Sequence, residues 1–159
     1  MRRLPSHRSS QARAHVIATA HEIELWIHRW FTRLESRLSS DGREQWLNWV
    51  IRLPASELVG YVQATVRPDA RAAIAYALSS KYWGRGFARQ AVQAMISELV
   101  ESYHVRGLSA VLKQENLRSR RLLERLGFSL ASPQQHATSL VEPDEFLMFR
   151  EVTVNWRQE

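Results

Sequence analysis

Gly84 and Gly86 form a closely spaced glycine pair between a strand-like apolar segment and a long helical pattern. Glycine lets the backbone approach a ligand closely, and the first turn of a helix offers unpaired N–H groups together with the positive end of its dipole. Such a loop can bind a phosphate group without any particular side chain. The same pair would also suit a plain glycine-rich turn, so its spacing alone leaves both interpretations open.

The residues around the pair exclude two familiar nucleotide-binding motifs. A P-loop needs Gly-Lys followed by Ser or Thr, whereas Phe87 follows Gly86. The dinucleotide motif places its glycines directly after the strand and has a third glycine where Arg89 stands here. Because residues 79 to 83 separate the strand from the first glycine, neither motif is present.

Hydrophobic periodicity predicts one mixed α/β domain whose central strand–helix–strand unit carries the glycine pair. Helical spacing predicts helices over His21–Leu38 and Phe87–Tyr103, and a third helix that is capped by Asn116 and ends at Gly127. The remaining apolar runs predict strands, the first three of them as a consecutive antiparallel set. These runs are Gln45–Leu53, Leu58–Val66, Ala72–Leu78, Leu108–Leu112, Phe128–Ala131 and Glu145–Val154.

The net charge of +6 comes mostly from the first twenty residues. That segment holds four arginines and no acidic residue, so residues 21–159 carry eighteen basic against sixteen acidic side chains. We therefore predict a basic arm over residues 1–20, either frayed or carrying a remnant strand, followed by a single domain over residues 21–159. The nearly balanced domain argues against a nucleic-acid partner, although a nucleic-acid-binding domain built on the arm stays as a rival hypothesis.

Other features of the composition remove several classes of protein. The chain has no cysteine, which excludes disulfide bridges, Cys-ligated zinc and a cysteine nucleophile. The six histidines show no helical pair with carboxylates at ligand spacing, so we predict no metal site. No apolar stretch approaches the roughly 18 residues of a membrane-spanning helix, and His15 interrupts the apolar part of the N-terminal segment, so we expect a cytoplasmic protein without a secretory signal.

The segment Trp83–Ala88 resembles the signature of the GNAT superfamily of acyl-CoA-dependent N-acyltransferases. That signature is Arg or Gln, two residues, Gly, one residue, then Gly or Ala, and Trp83 replaces its first residue here. A second, later motif strengthens the resemblance and is most similar to the ribosomal-protein-alanine acetyltransferase-like branch. Its matching residues are Asn116, Ser119, Leu123, Glu124, Leu126, Gly127 and Phe128. The resemblance covers roughly residues 45 to 152, about two thirds of the chain.

This resemblance implies a GNAT-like fold with acetyl-CoA as cosubstrate. The implied sheet is mostly antiparallel, with a central splayed parallel strand pair and flanking helices. Pantetheine would lie between the strand that ends at Leu78 and the strand Leu108–Leu112, and the pyrophosphate would bind backbone amides of the glycine loop. The implied cofactor-binding residues are Leu78, Ser79, Ser80, Trp83, Gly84, Arg85, Gly86, Phe87, Ala88, Arg89, Asn116 and Ser119.

The catalytic residues are less determined, because the chain departs from the family at two positions. Ala73 stands where many members carry a glutamate, and Leu123 stands where many carry a tyrosine acid. The resemblance implies that Ser119 donates the proton to the thiolate, while a water or a loop carboxylate takes the proton of the amine. Candidate bases are Tyr76, His136 and Glu145, and Ser119 and Tyr76 are the catalytic residues that we carry forward.

The predicted function is acetyl transfer to a primary amine by direct attack in a ternary complex. Deprotonation at neutral pH costs about 1.4 kcal/mol for an α-amine and about 4–5 kcal/mol for a lysine, so an α-amine needs little help from a base. The acceptor is a protein or peptide N-terminus or a small amine. A cationic small amine would need an acidic groove, which five residues could supply: Glu22, Glu24, Glu142, Asp144 and Glu145.

Two further questions stay open at this level. The missing glutamate and tyrosine also fit a non-catalytic acyl-CoA-binding regulatory module. The first strand of the family is either absent or a remnant at His15–Thr19, and the aromatic residues Trp26 and Trp30 either belong to the core or line the acceptor groove. An early helix with this much aromatic surface could also pair with a second copy as a homodimer.

Overall fold

The computed structural model describes residues 38–39, 41–54 and 57–153 in full, and the backbone alone of residues 12–17 and 24–30. The described strands form one sheet in the order β1-β2-β3-β4-β5-β6-β8-β7. The strands are β1 (Ala12–Ile17), β2 (Glu24–Trp30), β3 (Gln45–Arg52), β4 (Leu58–Val66), β5 (Arg71–Leu78), β6 (Gly107–Lys113), β7 (Ser129–Leu130) and β8 (Glu145–Glu151). The helices are α1 (Phe87–Tyr103), α2 (Leu117–Arg125) and α3 (Pro133–Ala137), and a short 3-10 turn spans Ser80–Tyr82.

The antiparallel set β3-β4-β5 and helix α1 form the core that the sequence predicted. Alternate residues of the strands are buried on one face, as in Leu47, Trp49 and Ile51 of β3. Helix α1 packs against β4 and β5 and has the bounds that its helical spacing predicts. Its buried stripe contains Phe87, Ala91, Val92, Met95, Ile96 and Leu99. The period of the apolar residues therefore predicts both the strands before the glycine loop and the helix after it.

The helix predicted over His21–Leu38 is wrong where the structure describes that range. Residues Glu24–Trp30 form strand β2, which pairs with β1 on one side and β3 on the other. Aromatic and β-branched residues favour strands, and the two rows of backbone hydrogen bonds outweigh a local helical spacing. His15 to Ile17 of the predicted remnant strand lie in β1, whereas Ala18 and Thr19 lie outside the described residues. The boundary at residue 20 stays a prediction.

The C-terminal region follows the predicted strand pair with one addition. Strands β7 and β8 are antiparallel neighbours and lie within the two predicted runs, although Val154 is outside the described residues. Helix α3 between them was not expected from the sequence. It begins with a capping box, in which Ser132 accepts from the Gln135 N–H and Gln135 accepts from the Ser132 N–H, and Pro133 occupies its first turn. That signature was readable in the sequence.

Strands β5 and β6 are parallel neighbours for only three residues each. Arg71–Ala73 pair with Gly107–Ser109, after which β5 departs while β6 remains paired with β8 along its whole length. This is the splayed parallel pair that the resemblance implied. The strand order, the splay and the flanking helices together confirm a GNAT-like fold.

The register of β4 and β5 shows which backbone groups the splay leaves open. Arg67 N donates to Arg71 O, and Ser79 N donates to Val59 O, so the odd-numbered residues of β5 bond to β4. Hydrogen-bonded and non-bonded pairs alternate along an antiparallel ladder. The N–H and C=O groups of Tyr76 and Leu78 therefore face away from β4, toward the gap that β6 has left.

Gly60 is required by the close approach of β4 to the end of β5. A Cβ at this position would overlap with the Ala77 carbonyl oxygen and would lie 3.0 Å from Leu78 Cα. We expect Gly60→Ala to lower the free energy of unfolding by about 1–3 kcal/mol, because neither backbone atom can move without shifting β5. Urea denaturation measures the change. Gln63→Ala, which removes an exposed side chain from the same strand, is the control and should stay within about 0.5 kcal/mol of wild type. Equal stability of Gly60→Ala and wild type would contradict this account.

Candidate active site

The splay between β5 and β6 continues into one long cleft that ends at the glycine loop. One wall is formed by residues 76–89 and the other by residues 113–125, so α2 replaces β6 as the neighbour of β5. The cleft has an outer section of about 680 Å³ at the glycine loop, a middle section of about 800 Å³ and an inner section of about 240 Å³ between the strands. Leu78 and Trp83 line both the outer and middle sections, and Tyr76 and Ser119 line both the middle and inner ones.

The glycine loop presents the N-terminus of α1 to the outer section. Gly84 and Gly86 have φ values of +76° and +82°, in the left-handed region that favours glycine. Gly86 is the N-cap of α1, and no side chain caps the helix. The first N–H groups of α1 are consequently left for a ligand, and Phe87, Ala88 and Arg89 line the section. The loop can therefore bind an anion through backbone donors, which is one of the two interpretations that the glycine spacing left open.

Four arginines surround the outer section. Arg89 comes from α1, while Arg118, Arg121 and Arg125 are spaced three and four residues apart and share one side of α2. No carboxylate is among the described residues that line this section. Arg89 was predicted from the sequence, whereas the three arginines of α2 were not. Arg85, which was predicted with Arg89, has its guanidinium carbon 5.8 Å from the centre of the Tyr82 ring and does not line this section. The spacing within the run after Asn116 was the signal that could have identified the α2 arginines.

Asn116 fixes the start of α2 at the middle of the cleft. Its Oδ1 accepts a hydrogen bond from the Ser119 N–H at 3.2 Å, which confirms the predicted cap. Tyr76 reaches across from β5 and its hydroxyl donates to the Ser119 carbonyl oxygen at 3.3 Å. Leu123 is buried behind them. Tyr76 and Ser119, which are 43 positions apart in the sequence, thus meet at the centre of the cleft.

Tyr76 and Ser119 differ in what their hydroxyl groups can do. Burial raises the pKa of the Tyr76 hydroxyl above its usual value, and its bond to Ser119 only partly offsets that effect. Tyr76 therefore stays protonated near neutral pH and can donate a proton but cannot serve as a base. Within the described part of the chain, the Ser119 hydroxyl forms no hydrogen bond, so it is available to a ligand in the middle or inner section.

Glu145, the other candidate base in the cleft, is held in its charged form. The Glu142 N–H donates to Glu145, and Lys113 lies 3.1 Å away, so both lower the pKa of the Glu145 carboxyl. Lys113 also pairs with Asp144 at 3.0 Å. A carboxylate with a lowered pKa is a weak base. His136 lies on α3 and lines none of the three sections.

The same ion pairs involve two of the five acidic residues that the sequence offered for an acidic groove. Lys113 binds both Asp144 and Glu145, which leaves Glu142 as the unpaired acid of that group among the described residues. Glu22 and the side chains of Glu24, Trp26 and Trp30 lie outside the described residues.

A shallow depression of about 410 Å³ lies over β3, β4 and β5 and shares Ile74 and Ala75 with the inner section. Its described lining includes Ala73 and carries no charged side chain.

Trp83 stands between the two walls of the cleft. Its indole N–H donates to the Leu78 carbonyl oxygen at 2.8 Å, and the Arg118 guanidinium carbon lies 4.5 Å from the centre of its ring. Ser79 and Ser80, by contrast, line none of the three sections, and their carbonyls accept from Tyr82 N and Trp83 N in the 3-10 turn. The structure therefore gathers most of the predicted binding residues around the cleft and leaves Ser79, Ser80 and Arg85 outside its lining.

The described residues contain neither a metal-binding cluster nor a membrane-spanning helix. No group of three or more His, Asp or Glu side chains there could hold a metal ion. None of the helices described is long and apolar enough to cross a membrane.

Comparisons with known proteins give a family model and a set of similar folds. The model of the acetyltransferase (GNAT) domain matches residues 6–129. No curated protein matches the chain. Similar structures include an acetyltransferase from Agrobacterium tumefaciens (19% identity, TM-score 0.57, 66% of this chain and 60% of that one) and a GNAT-family acetyltransferase from Bacillus anthracis (21%, 0.55, 65% and 65%). Another is a ribosomal-protein-S5-alanine acetyltransferase from Vibrio fischeri (22%, 0.57, 71% and 64%). The chain thus spans 60 to 65% of the length of these proteins, and the likeness at such identities is one of fold.

The cap of α2 provides a direct test of how the site is positioned. We expect Asn116→Ala to lower the free energy of unfolding by about 1 kcal/mol, because the Ser119 N–H loses its acceptor. Asn116→Asp keeps a side-chain acceptor and should retain most of the stability. Urea denaturation of both variants against wild type measures the difference. If the alanine and aspartate variants were equally stable, the side-chain cap would contribute nothing.

Proposed function

The chain belongs to the GNAT acetyltransferase family, and from that premise we propose that it transfers the acetyl group of acetyl-CoA to a primary amine. The observation that carries this proposal is the continuity of the cleft, from a basic outer end to an inner end between two diverging strands. Acetyl-CoA has the matching order of parts: phosphates at one end, an amide-containing pantetheine arm, and a thioester at the other end.

The outer section suits the phosphates of the cosubstrate. The unpaired N–H groups at the start of α1 would bind the pyrophosphate, and the side chains of Arg89, Arg118, Arg121 and Arg125 add positive charge on both walls. The remaining residues of this proposed site are Leu78, Trp83, Gly84, Gly86, Phe87, Ala88, Asn116 and Ser119. Ser79, Ser80 and Arg85 stay in the proposal as neighbours of the loop, but their support comes from the family resemblance alone.

The gap suits the pantetheine arm because β5 has no neighbouring strand there, although the Leu78 carbonyl oxygen accepts from the Trp83 indole in the free protein. The N–H and C=O groups of Leu78 and Tyr76 face the gap, as the register of β4 and β5 requires. An extended arm with its own amides can bond to this edge in place of the absent strand. The N–H of Leu78 is the donor that we assign to the thioester carbonyl, whose oxygen gains negative charge when the amine attacks.

Ser119 is the residue to which we assign protonation of the thiolate leaving group. Its hydroxyl has no protein partner in the described part of the chain and borders both the middle and inner sections. A thiol has a pKa of about 8.5, so a weak acid suffices for this step. Tyr76 acts on Ser119 through the bond to its carbonyl oxygen, and we assign it a positioning role.

The acceptor that fits best is an α-amine. Glu145 is held charged by the Glu142 N–H and by Lys113, which makes it a weak base. We therefore assign the proton of the amine to water, a step that costs about 1.4 kcal/mol for an α-amine and about 4–5 kcal/mol for a lysine. Among the described residues, the lining of the depression at Ala73 and Ala75 includes none of the carboxylates that a polyamine would require. The name of the Vibrio fischeri protein includes an alanine acceptor, which agrees with this choice.

The cellular setting belongs to the same proposal. A cytoplasmic location, which the sequence analysis expects, stays part of this proposal. The homodimer predicted from an early aromatic helix loses that support, because Glu24–Trp30 form strand β2 between β1 and β3.

The decisive experiment measures release of free thiol from acetyl-CoA in the presence of an amine panel. The panel contains peptides with free N-termini, the same peptides with blocked N-termini and a lysine side chain, and a polyamine. We expect thiol release with the free N-terminal peptides and acetylation of their α-amine by mass spectrometry. Binding of acetyl-CoA without release for any amine would support the regulatory module instead, and absence of both would contradict the proposal.

Ser119→Ala tests the proton donor. We expect kcat to fall about tenfold to a hundredfold with KM for acetyl-CoA little changed, at the low end of general-acid contributions because a thiolate is a good leaving group. Tyr76→Phe should have a smaller effect on kcat, since it removes only the bond to the Ser119 carbonyl. Tyr61→Phe, at an exposed position on β4, is the matched control. Full turnover of Ser119→Ala would show that another group protonates the thiolate.

The dependence of rate on pH tests the absence of a strong base. If water takes the proton, kcat/KM should rise with pH until it passes the pKa of the acceptor amine, which is about 7.7–8.0 for an α-amine. Acceptors with less basic amines should move this rise to lower pH by the difference in their pKa values. The raised pKa of Tyr76 implies no loss of activity from that group below its usual value near 10. A rise that stays at one pH for all acceptors would indicate a titrating group of the protein.

A further inference from the structure

We propose that Trp83 competes with the coenzyme for its own binding site, so that this side chain sets how readily the cleft opens. The proposal rests on the function proposed above, because it concerns the same cleft. Trp83 occupies the first position of the glycine-loop motif, where the family has Arg or Gln. Its contacts are with the two walls of the cleft.

The first contact occupies a backbone acceptor that the ligand needs. Leu78 O faces the gap, because the neighbouring odd-numbered residues of β5 use their groups to bond to β4. The indole N–H of Trp83 donates to this oxygen at 2.8 Å, which is ordinary hydrogen-bond length. An amide N–H of a pantetheine arm laid along β5 would need the same oxygen. The indole therefore substitutes for the ligand in the free protein.

The second contact connects the loop to the opposite wall. Arg118 lies in the first turn of α2, and its guanidinium carbon is 4.5 Å from the centre of the Trp83 ring. This distance is typical of a cation–π interaction. While Arg118 stacks on the ring, the ring crosses the space between the loop and α2. Departure of the indole from Leu78 would free both the carbonyl and the arginine.

The surroundings of Trp83 allow such a movement. The side chain is 47% exposed, so it can turn outward without leaving a cavity in the core. It is followed by Gly84, whose position would accept a Cβ with no atom within 4 Å, so the backbone there faces open space. The core residues of α1 begin only at Phe87. Movement of the indole would therefore disturb neither the sheet nor the helix.

Binding kinetics separate a competitor from a simple contact residue. When only part of the free protein is open, the apparent affinity equals the intrinsic affinity multiplied by that open fraction, and removing the competitor restores it through the association rate. We expect Trp83→Phe, which keeps a ring beside Arg118 but has no N–H, to bind coenzyme A with an association rate about three- to tenfold higher and an unchanged dissociation rate. Stopped-flow measurements with coenzyme A give both rates. Trp46→Phe makes the same change outside the cleft and should alter neither.

A second measurement follows the wild-type side chain directly. The indole N–H resonance of Trp83 can be assigned by its loss in Trp83→Phe. We expect slow exchange of this proton with solvent in the free protein and faster exchange when coenzyme A saturates the site. An unchanged exchange rate on saturation would overturn the proposal.

The remaining outcomes distinguish the two proposals. A faster dissociation of coenzyme A from Trp83→Phe, or rates within twofold of wild type, would overturn the competitor role while leaving the acetyltransferase function intact. Failure of wild-type protein to bind coenzyme A would overturn both. The result that supports Trp83 as the competitor has two parts. Coenzyme A binds Trp83→Phe more tightly through a faster association alone, and the indole proton of the wild type exchanges faster with solvent when coenzyme A is bound.

Discussion

The separation of β5 from β6 after three paired residues is the constraint on which the site depends. β8 bonds to the far edge of β6 along its whole length, but after Ala73 the edge of β5 that carries the backbone groups of Tyr76 and Leu78 has no neighbouring strand. Backbone groups without a partner carry a free-energy penalty unless water or a ligand binds them. The cleft follows from this gap, and the bond from the Trp83 indole to the Leu78 carbonyl oxygen gives one of the open groups a partner.

Charge acts at the outer end of the same gap. The net charge of +6 points to nucleic acid, but four of the arginines belong to the first twenty residues of the sequence. Within the cleft, the positive field comes from the start of α1 and from arginines on two helices that face each other. At the inner end the described lining carries one cation and one carboxylate, Lys113 and Glu145, which lie 3.1 Å apart. The cleft thus changes from strongly basic to nearly neutral along its length, as a ligand with a phosphate end and an acyl end requires.

Much of this fold was readable from the sequence because its signals are local. The alternation in β3 to β5, the helical period of α1 and the Asn116 cap each depend on residues within a few positions, and each is confirmed. The error at Glu24–Trp30 arose because strand pairing with β1 and β3 is not local, and helical spacing over those residues was misleading. The Lys113 ion pairs and the contacts of Trp83 join residues from different elements. Their positions follow from the course of the chain in space, which no spacing in the sequence encodes.

Hydrogen exchange at the backbone of β5 tests the central claim most directly. The amide protons of Tyr76 and Leu78 face the gap, whereas those of Ala75 and Ala77 bond to β4 and serve as internal controls. We predict that Tyr76 and Leu78 exchange faster than the two controls in the free protein and become protected when coenzyme A is added, while the controls change little. Equal protection of all four amides without coenzyme A, or no added protection at Leu78 with it, would contradict the account.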